Sequence, residues 1–564
     1  MNSTTWRRAT ARQLGLLVVA FAWSLVPWLS GTALAAGPAR DAITVGMVQV
    51  PPDMHPNITV TSIKDFILYT VSRPVTGYNE KGEVICLLCT ELPTLKNGRA
   101  RVVKRPDGTD GMEVLFTLSS DLYWADGQPV TAKDVVFAFE VTKAFSVPPT
   151  LEKVEALGSR TVKLTLKVVR YDFDRACPTP ISEHIEGKIF RAAKDPLDYG
   201  QKSLFNRKPD EPGLWFGPYR VAEFKPNELV VLSPNPHWKG RAPHFKKVTM
   251  RLVENTSALQ ANLLAGDVDT VASGNLGLTL DQHLALSKAQ SARFDFTFIP
   301  SVASFEHLAV KLDNPLLADK RARQAILMAI DRKTLVAKLF DNKFQVAPSF
   351  KHPTQFGWDP KTRSYPFDPA ASKRLLAEMG YKPGADGIAV NAAGQRFSID
   401  LVSTAGNRVR ELVEQVMQTQ LKAVGIEVVI NNEPARVMFG ESLRKRSYKG
   451  LVLYQADHRL DTVPYEFFHS SFIPRAENNF VGTNYSGFNN PAMDKALADA
   501  WAALEPRDRA AAYKRILDIA AEELPILPLY YPTTVVVTPK WMTGMVNPNR
   551  WGSIGLWIED WRAK

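Results

Sequence analysis

Three sets of residues in this 564-residue chain carry side chains that could do chemistry at a meaningful spacing. Cys86 and Cys89 stand at the C-x-x-C spacing of a dithiol–disulfide couple, with Cys177 as the third cysteine. Asp126 and Asp134 offer two carboxylates close in sequence, the raw material of paired acid and base catalysis. His237 and His244 would ligate a metal if a cysteine or carboxylate completed the set. The surroundings argue against each use. A thioredoxin-type pair opens a helix within a βαβ unit, whereas Val84-Ile85-Cys86-Leu87-Leu88-Cys89 is strand-like and runs into Thr90-Glu91-Leu92-Pro93. The pair therefore reads as a structural disulfide or as buried thiols. His237 adjoins Trp238 in a turn, with no completing ligand beside it. The sequence holds no G-x-S-x-G, no H-E-x-x-H, no P-loop and no G-x-G-x-x-G after a strand. No cofactor and no metal are expected, and catalysis rests on no motif, although a triad assembled from distant segments would leave none.

The two aspartates are accounted for by the elements that carry them. Val114, Phe116 and Leu118 alternate with Leu115 and Thr117, the period of a half-buried strand. Asp126-Gly127 then turns the chain, because glycine reaches positive φ without steric cost and Asp can bond its own backbone. Thr131 is placed as an N-cap, and Asp134 sets a carboxylate against the unpaired N–H groups of the helix start, a capping-box variant. Ala132, Val135, Val136 and Phe139 follow at i, i+3, i+4 and i+7, which gives that helix one apolar face. Elsewhere, 43–50 and 162–166 read as strands, and 258–264 as a helix ending at Gly266. The charge- and proline-rich stretch 195–212 reads as a surface insertion. Such mixed order without internal repeats suits a multi-domain α+β protein.

Arg7, Arg8 and Arg12 precede an apolar run over 14–29, and Ala33-Leu34-Ala35 has the small-x-small form of a cleavage site. Together these describe a secretory signal peptide over 1–35. Pro27 interrupts the run, which is short against the roughly 20 residues of a membrane span. Ala9 and Thr10 lack the apolar character of a twin-arginine signal, so the general secretory route is expected. No cysteine stands near the cleavage site to take a lipid, and a free periplasmic protein is expected. In that oxidising compartment two of the three cysteines pair, and which two is open. At roughly 150 residues per domain the remaining chain suits several domains. The formal charge is +11, but the basic residues are interspersed with acids and the densest run is only Arg444-Lys445-Arg446. A solvated face is the reading, with no nucleic-acid partner.

The stretch Trp124-Ala-Asp126-Gly127-Gln-Pro129-Val-Thr131-Ala-Lys-Asp134-Val135-Val136-Phe137 closely resembles the W-x-D-G-x-P-x-T-A-x-D-V-x-F signature of the extracellular solute-binding proteins of family 5. These are the oligopeptide- and dipeptide-binding proteins of ABC importers. Gly217-Pro218-Tyr219-Arg220-Val221 resembles the family's G-x-Y-x-V strand, and Arg321-Ala-Arg323-Gln324-Ala325, with Ile330-Asp331-Arg332 after it, resembles its R-V-R-Q-A-x-x-x-A-I-D-R helix. Gly425-Ile426-Glu427-Val428 resembles its G-I-x-V strand, so the resemblance runs from about Ile43 to the C-terminus. It implies an α/β (mixed α+β) fold: bilobed, like periplasmic-binding-protein type II, with an extra domain and a discontinuous domain I. By this analogy domain I takes 36–61, 214–300 and 526–564, domain II takes 62–213, and domain III takes 301–525. Residues 524–531 resemble the strand by which such proteins return to domain I.

The resemblance also implies the function: a monomeric substrate-binding component of an ABC importer, capturing a peptide or similar solute between two lobes for an inner-membrane permease. A non-peptide solute (oligosaccharide, opine or metal chelate) is the alternative within the family, and a secreted hydrolase the alternative outside it. Peptide-binding members place an Asp in a W-x-A-D-Y segment to take the ligand's ammonium group. The corresponding run here is Tyr454-Gln455-Ala456-Asp457-His458, with Tyr454 in place of Trp and His458 in place of Tyr. Asp457 then accepts the ammonium in a charge-assisted bond, or it caps a turn or pairs with Arg459. Family segments facing the cleft add Phe305, Glu306 and His307 at the entry to domain III, and Gly274 and Asn275 at a hairpin end. Ser403 and Asn407 belong to a loop and helix start whose N–H groups could receive an anion, and Arg408 could clamp a carboxylate. Glu306, a carboxylate between lobes, needs a partner.

Overall fold

The strand period read along 114–118 is realised as Asp110–Thr117, whose Met112, Val114 and Phe116 are fully buried. It pairs antiparallel with Ala100–Lys104 on one side and Thr161–Leu166 on the other, and Leu151–Ala156 completes a four-stranded sheet. The structure is a computed structural model. It describes residues 40–564 apart from 50, 52, 59–61, 80–81, 146–149, 458–461, 479 and 547–552, and it leaves aside the side chains of Asn275, Arg436 and Asp457.

Gly127 turns the chain at φ 90°, its N–H donating to the Trp124 carbonyl at 2.9 Å. The helix Ala132–Phe145 comes next. It buries two faces where the sequence suggests one. Ala132, Val135 and Phe139 pack on the sheet with Trp124, while Phe137, Ala138 and Val141 enter a second core with Ile67, Tyr199 and Trp215. The near-continuous apolar run over 135–139 is the reason, since a helix apolar all round must be covered all round. The stretch 195–212 is likewise no loose insertion: it holds the helices Pro196–Lys202 and Leu204–Arg207, pinned by fully buried Tyr199 and Phe205.

Two larger sheets are built from the rest of the chain. A five-stranded one runs in the order Thr270–Val271, Ala42–Met47, Lys247–Leu252, Leu229–Pro234, Tyr219–Lys225, with the first three strands parallel. A six-stranded one runs Gln345–Val346, Ile526–Tyr531, Ser304–Val310, Leu451–Asp457, Ser398–Val402, Glu427–Ile430. One face of the latter packs Leu308, Leu401, Leu453 and Leu527 under helices such as Arg408–Lys422. The other packs Phe305, Val452, Tyr454 and Tyr531 under Pro491–Ala502 and Pro506–Glu523. Each fully buried aliphatic or aromatic side chain there contributes about 1.5–3 kcal/mol before entropy.

The strand Ile526–Tyr531 opens the stretch 526–564 that the resemblance assigns to domain I. It pairs antiparallel with Ser304–Val310, inside the six-stranded sheet. All six of its residues are buried, which only a strand covered on both faces allows. The chain returns to the first sheet one strand later. Thr533–Pro539 pairs antiparallel with Phe294–Pro300, and its Val536 and Val537 lie in cores shared with the five-stranded sheet.

Cys86 and Cys89 form the disulfide, with Cα atoms 5.1 Å apart, at the end of the short strand Val84–Cys86. Cys177 is a free thiol against the same apolar cluster, and burial pushes its pKa well above the ordinary range. Among the described residues no helix is long and apolar enough to cross a membrane.

Candidate functional site

Strand direction gathers the polar ends of the two large sheets. Leu451–Asp457 is parallel to Ser398–Val402, which is parallel to Glu427–Ile430. Ile526–Tyr531 runs the same way, since it and Leu451–Asp457 are both antiparallel to Ser304–Val310. Their carboxyl ends and residues 304–306 therefore share one edge. In the five-stranded sheet the parallel strands end at Met47, Leu252 and Val271, and the chain beyond supplies Thr256, Gly274, Gly277 and Thr279. A cavity of about 270 Å³ lies between the two, walled by those residues on one side and by Glu306, Asn407, Arg410, Gln455 and Tyr530 on the other. The crevice outside the carboxyl ends of such strands is where open α/β sheets bind ligands.

Among the described residues the cavity's charge is concentrated in one pair. Arg410 donates from Nε to Glu306 Oε1 at 2.6 Å and from Nη1 to Thr404 Oγ1 at 3.0 Å, and its Nη2 makes no hydrogen bond among the described residues. Burial works against the guanidinium's charge, but the Glu306 carboxylate, with smaller contributions from Tyr530 and Glu414, more than offsets it and the pKa is raised. The Tyr530 phenol, opposite Glu306 in the strand pairing, is pushed well above its ordinary pKa by burial and then by the Glu306 charge. Asn407 caps the helix Arg408–Lys422, its Oδ1 accepting the Arg410 N–H at 3.2 Å. That cap fixes the first turn and so aims Arg410 at the strand edge. Gly277 is demanded by packing, since a Cβ there would stand 1.9 Å from the Ala272 carbonyl oxygen.

The residues singled out from sequence divide by strand alternation. Glu306, Gly274 and Asn407 line the cavity. Phe305 and His307 project to the opposite face of their strand, into the core with Tyr454; the His307 ring stands 4.4 Å from that of Tyr454 and 5.0 Å from that of Phe305. Burial pushes the His307 pKa down to about 3. Ser403 is buried too, its hydroxyl donating to the Leu453 carbonyl at 3.0 Å. Arg408 does not line the cavity: its side chain is exposed, with Glu411 3.9 Å away, while Arg410 is the arginine among the lining residues. A helix start turns by about 100° per residue, so a shift of two positions exchanges solvent for cleft. Asp457 occupies the strand position opposite Ser304. By alternation that position shares a face with 306 and 455. The side chains of Asp457 and Asn275, and His458 altogether, lie outside the described residues. Arg410, Gln455 and Tyr530 were not singled out from sequence. Period-two alternation from Glu306 and from Asp457 would have pointed to Gln455, but nothing local marks Arg410 or Tyr530.

A Ser–His–Asp contact set does occur away from this cleft. His184 shares hydrogen bonds with Ser182 Oγ at 3.1 Å and Asp126 Oδ2 at 2.8 Å. Ser182 is fully buried at a helix start and cannot meet a substrate. Among the described residues no group of His, Cys, Asp and Glu could hold a metal ion.

Comparison with known proteins gives concordant matches. The family described as "Bacterial extracellular solute-binding proteins, family 5 Middle" matches residues 104–473. The oligopeptide-binding protein AppA of Bacillus subtilis (strain 168) is 27% identical over 469 residues, 80% of either chain. The periplasmic murein peptide-binding protein MppA of Escherichia coli (strain K12) is 23% identical over 546 residues, 91% of either chain. Among solved structures, the oligopeptide-binding protein of Thermus thermophilus, complexed with a pentapeptide, superposes with a TM-score of 0.74 at 28% identity. That match covers 93% of this chain and 96% of that one. The Campylobacter jejuni protein NikZ, in complex with Ni(L-His), shares the fold with a TM-score of 0.73 at 20% identity, over 93% of this chain and all of that one.

Proposed function

The chain belongs to family 5 of the bacterial extracellular solute-binding proteins, and from that membership we propose that it captures a peptide or peptide-like solute between two lobes and hands it to an ABC permease of the inner membrane. The observation that carries this reading is the cavity between the carboxyl ends of two separate sheets, entered by a buried ion pair and by amide and hydroxyl side chains. A ligand enclosed there gives up its water, so every polar group it buries must find a partner, and the walls are furnished with partners. The named relatives that are binding proteins for oligopeptides and murein peptides support the choice of solute class. Asp457 is proposed as the acceptor for a peptide's ammonium group, from its place in the strand register beside Gln455.

Closure is a ligand-shifted equilibrium between open and closed lobes. The paired strands Phe294–Pro300 and Thr533–Pro539 are the two chain crossings about which the lobes would turn. On this basis domain I is proposed to comprise 36–61, 214–300 and the chain after Tyr531, domain II 62–213, and domain III 301–531. Release into the periplasm as a monomer, after removal of residues 1–35, completes the proposal.

The test is native mass spectrometry of the protein purified from its host's periplasm, together with small-angle scattering on addition of a peptide mixture. A co-purifying peptide mass and a more compact particle, without product, are expected. A sugar, opine or metal-chelate mass would reassign the solute, and cleaved peptide would turn the reading toward a hydrolase.

A further inference from the structure

Among the described residues, the cavity between the two sheets is lined by one charge of each sign, and the two are paired. Of the described residues lining it, only Glu306 and Arg410 are charged, and they meet at 2.6 Å with both side chains largely buried. Thr404 takes a second guanidinium hydrogen, which leaves Nη2 as the guanidinium nitrogen with no hydrogen bond among the described residues, on a residue that lines the cavity. The other polar residues lining the cavity are neutral: Asn407, Gln455, Tyr530, and Thr256 and Thr279 from the opposite wall.

A carboxylate brought to Arg410 here meets the Glu306 carboxylate already bonded to the same guanidinium. Two anions would share one cation where water is largely excluded, and like charges so placed repel strongly. An ammonium brought to Glu306 meets Arg410 in the same way. A neutral group with an acceptor oxygen meets neither penalty: it takes the Nη2 hydrogen and leaves the pair intact. We propose that the Glu306–Arg410 pair makes this part of the cleft select for uncharged, acceptor-bearing groups, so that captured solutes present an amide, ester or hydroxyl there and not a free carboxylate. The inference rests on the cleft being the solute site, and it narrows the solute class from peptides in general to peptides whose charged ends lie elsewhere or are blocked.

The pair also fixes what its removal does. Glu306→Gln keeps the shape and removes the carboxylate bonded to Arg410, leaving only the more weakly acting Glu414 in its field, which turns the subsite toward carboxylates. Arg410→Gln removes the cation and keeps the Glu306 carboxylate, which repels anions further.

The experiment is titration calorimetry on the whole chain with matched di- to pentapeptides, each as free acid and as C-terminal amide. The wild type is expected to bind amides at least as tightly as acids. Glu306→Gln is expected to move the amide-to-acid affinity ratio toward acids by about tenfold or more, the worth of a charge-assisted bond. Arg410→Gln should move it the other way, and so serves should Glu306→Gln fail to fold. The double variant should return to the wild-type ratio. A wild type that prefers acids by about tenfold, or a ratio unmoved in the folded variants, overturns the inference while leaving peptide capture standing. Failure of any peptide, acid or amide, to bind the wild type overturns the peptide reading itself.

Discussion

Asp134 accepts the backbone N–H of Glu183 at 3.0 Å with one carboxylate oxygen, while its other oxygen takes the N–H and hydroxyl of Thr131 at 2.7 and 3.0 Å. One side chain thus starts two helices, Ala132–Phe145 and Glu183–Ala192. Replacing Asp134 by Ala is expected to lower stability by about 2–3 kcal/mol, the sum of two lost caps and the N–H groups they leave buried. Urea denaturation should show this as a shifted midpoint with an unchanged slope. A loss below about half a kcal/mol would mean that water replaces the carboxylate.

Three buried histidines predict acid sensitivity. Burial pushes His55 and His307 down to about 3 and His283 down to about 4. Their folded pKa values lie below the unfolded value near 6.5, so between those limits the unfolded chain binds more protons. The stability associated with their neutral form is therefore complete above about pH 6.5 and is lost as pH falls toward 4 and then 3. Denaturation curves at about pH 7 and about pH 4.5, on either side of the unfolded value, should show the fall. His283→Leu should reduce it by up to about 1.4 kcal/mol per pH unit within that window. An equal fall in the variant would remove His283 from the account.

The cysteines predict inertness. The Cys86–Cys89 bridge closes a very short loop, so Cys86→Ser/Cys89→Ser should cost no more than about 2 kcal/mol on chain-entropy grounds. Solute binding, measured by calorimetry, should survive. Cys177 is half-buried and its thiol pKa is raised, so it should be alkylated more slowly in the native protein than after unfolding. Equal rates in the native and unfolded chain would contradict the raised pKa.

Asp457→Asn tests the proposed ammonium acceptor. An affinity loss of about 1.5–3 kcal/mol for a peptide, with little loss for its N-acetylated form, is expected by calorimetry. If Asp457 merely ends a strand or caps a turn, thermal stability would change and affinity would not.

Much of this architecture was legible in the chain. The alternation of Val114, Phe116 and Leu118, the Asp126-Gly127 turn, and the helix closed by Gly266 appear where their periods and turn residues place them. These are local matters: which face a residue shows depends on neighbours two to four positions away. The apolar strand Ile526–Tyr531 was less legible, because a run buried on both faces carries no period to say which sheet it joins.

The candidate site was only half legible. Sequence resemblance brought Glu306, Gly274 and Asn407 to the cleft, but it also brought Phe305, His307 and Tyr454, whose alternation turns them into the core. It named Arg408 where the helix offers Arg410.

The sequence by itself determined the family, the strand–turn–helix unit around Asp134, and the presence of an unaccounted carboxylate at Glu306. Only the tertiary structure decided that Glu306 is answered by Arg410, 104 positions away. The physical reason is that helix and strand periods are set by local backbone geometry. The charge of a cleft is set by which distant side chains the packing of sheets and helices brings within hydrogen-bond reach, and no local pattern encodes that meeting.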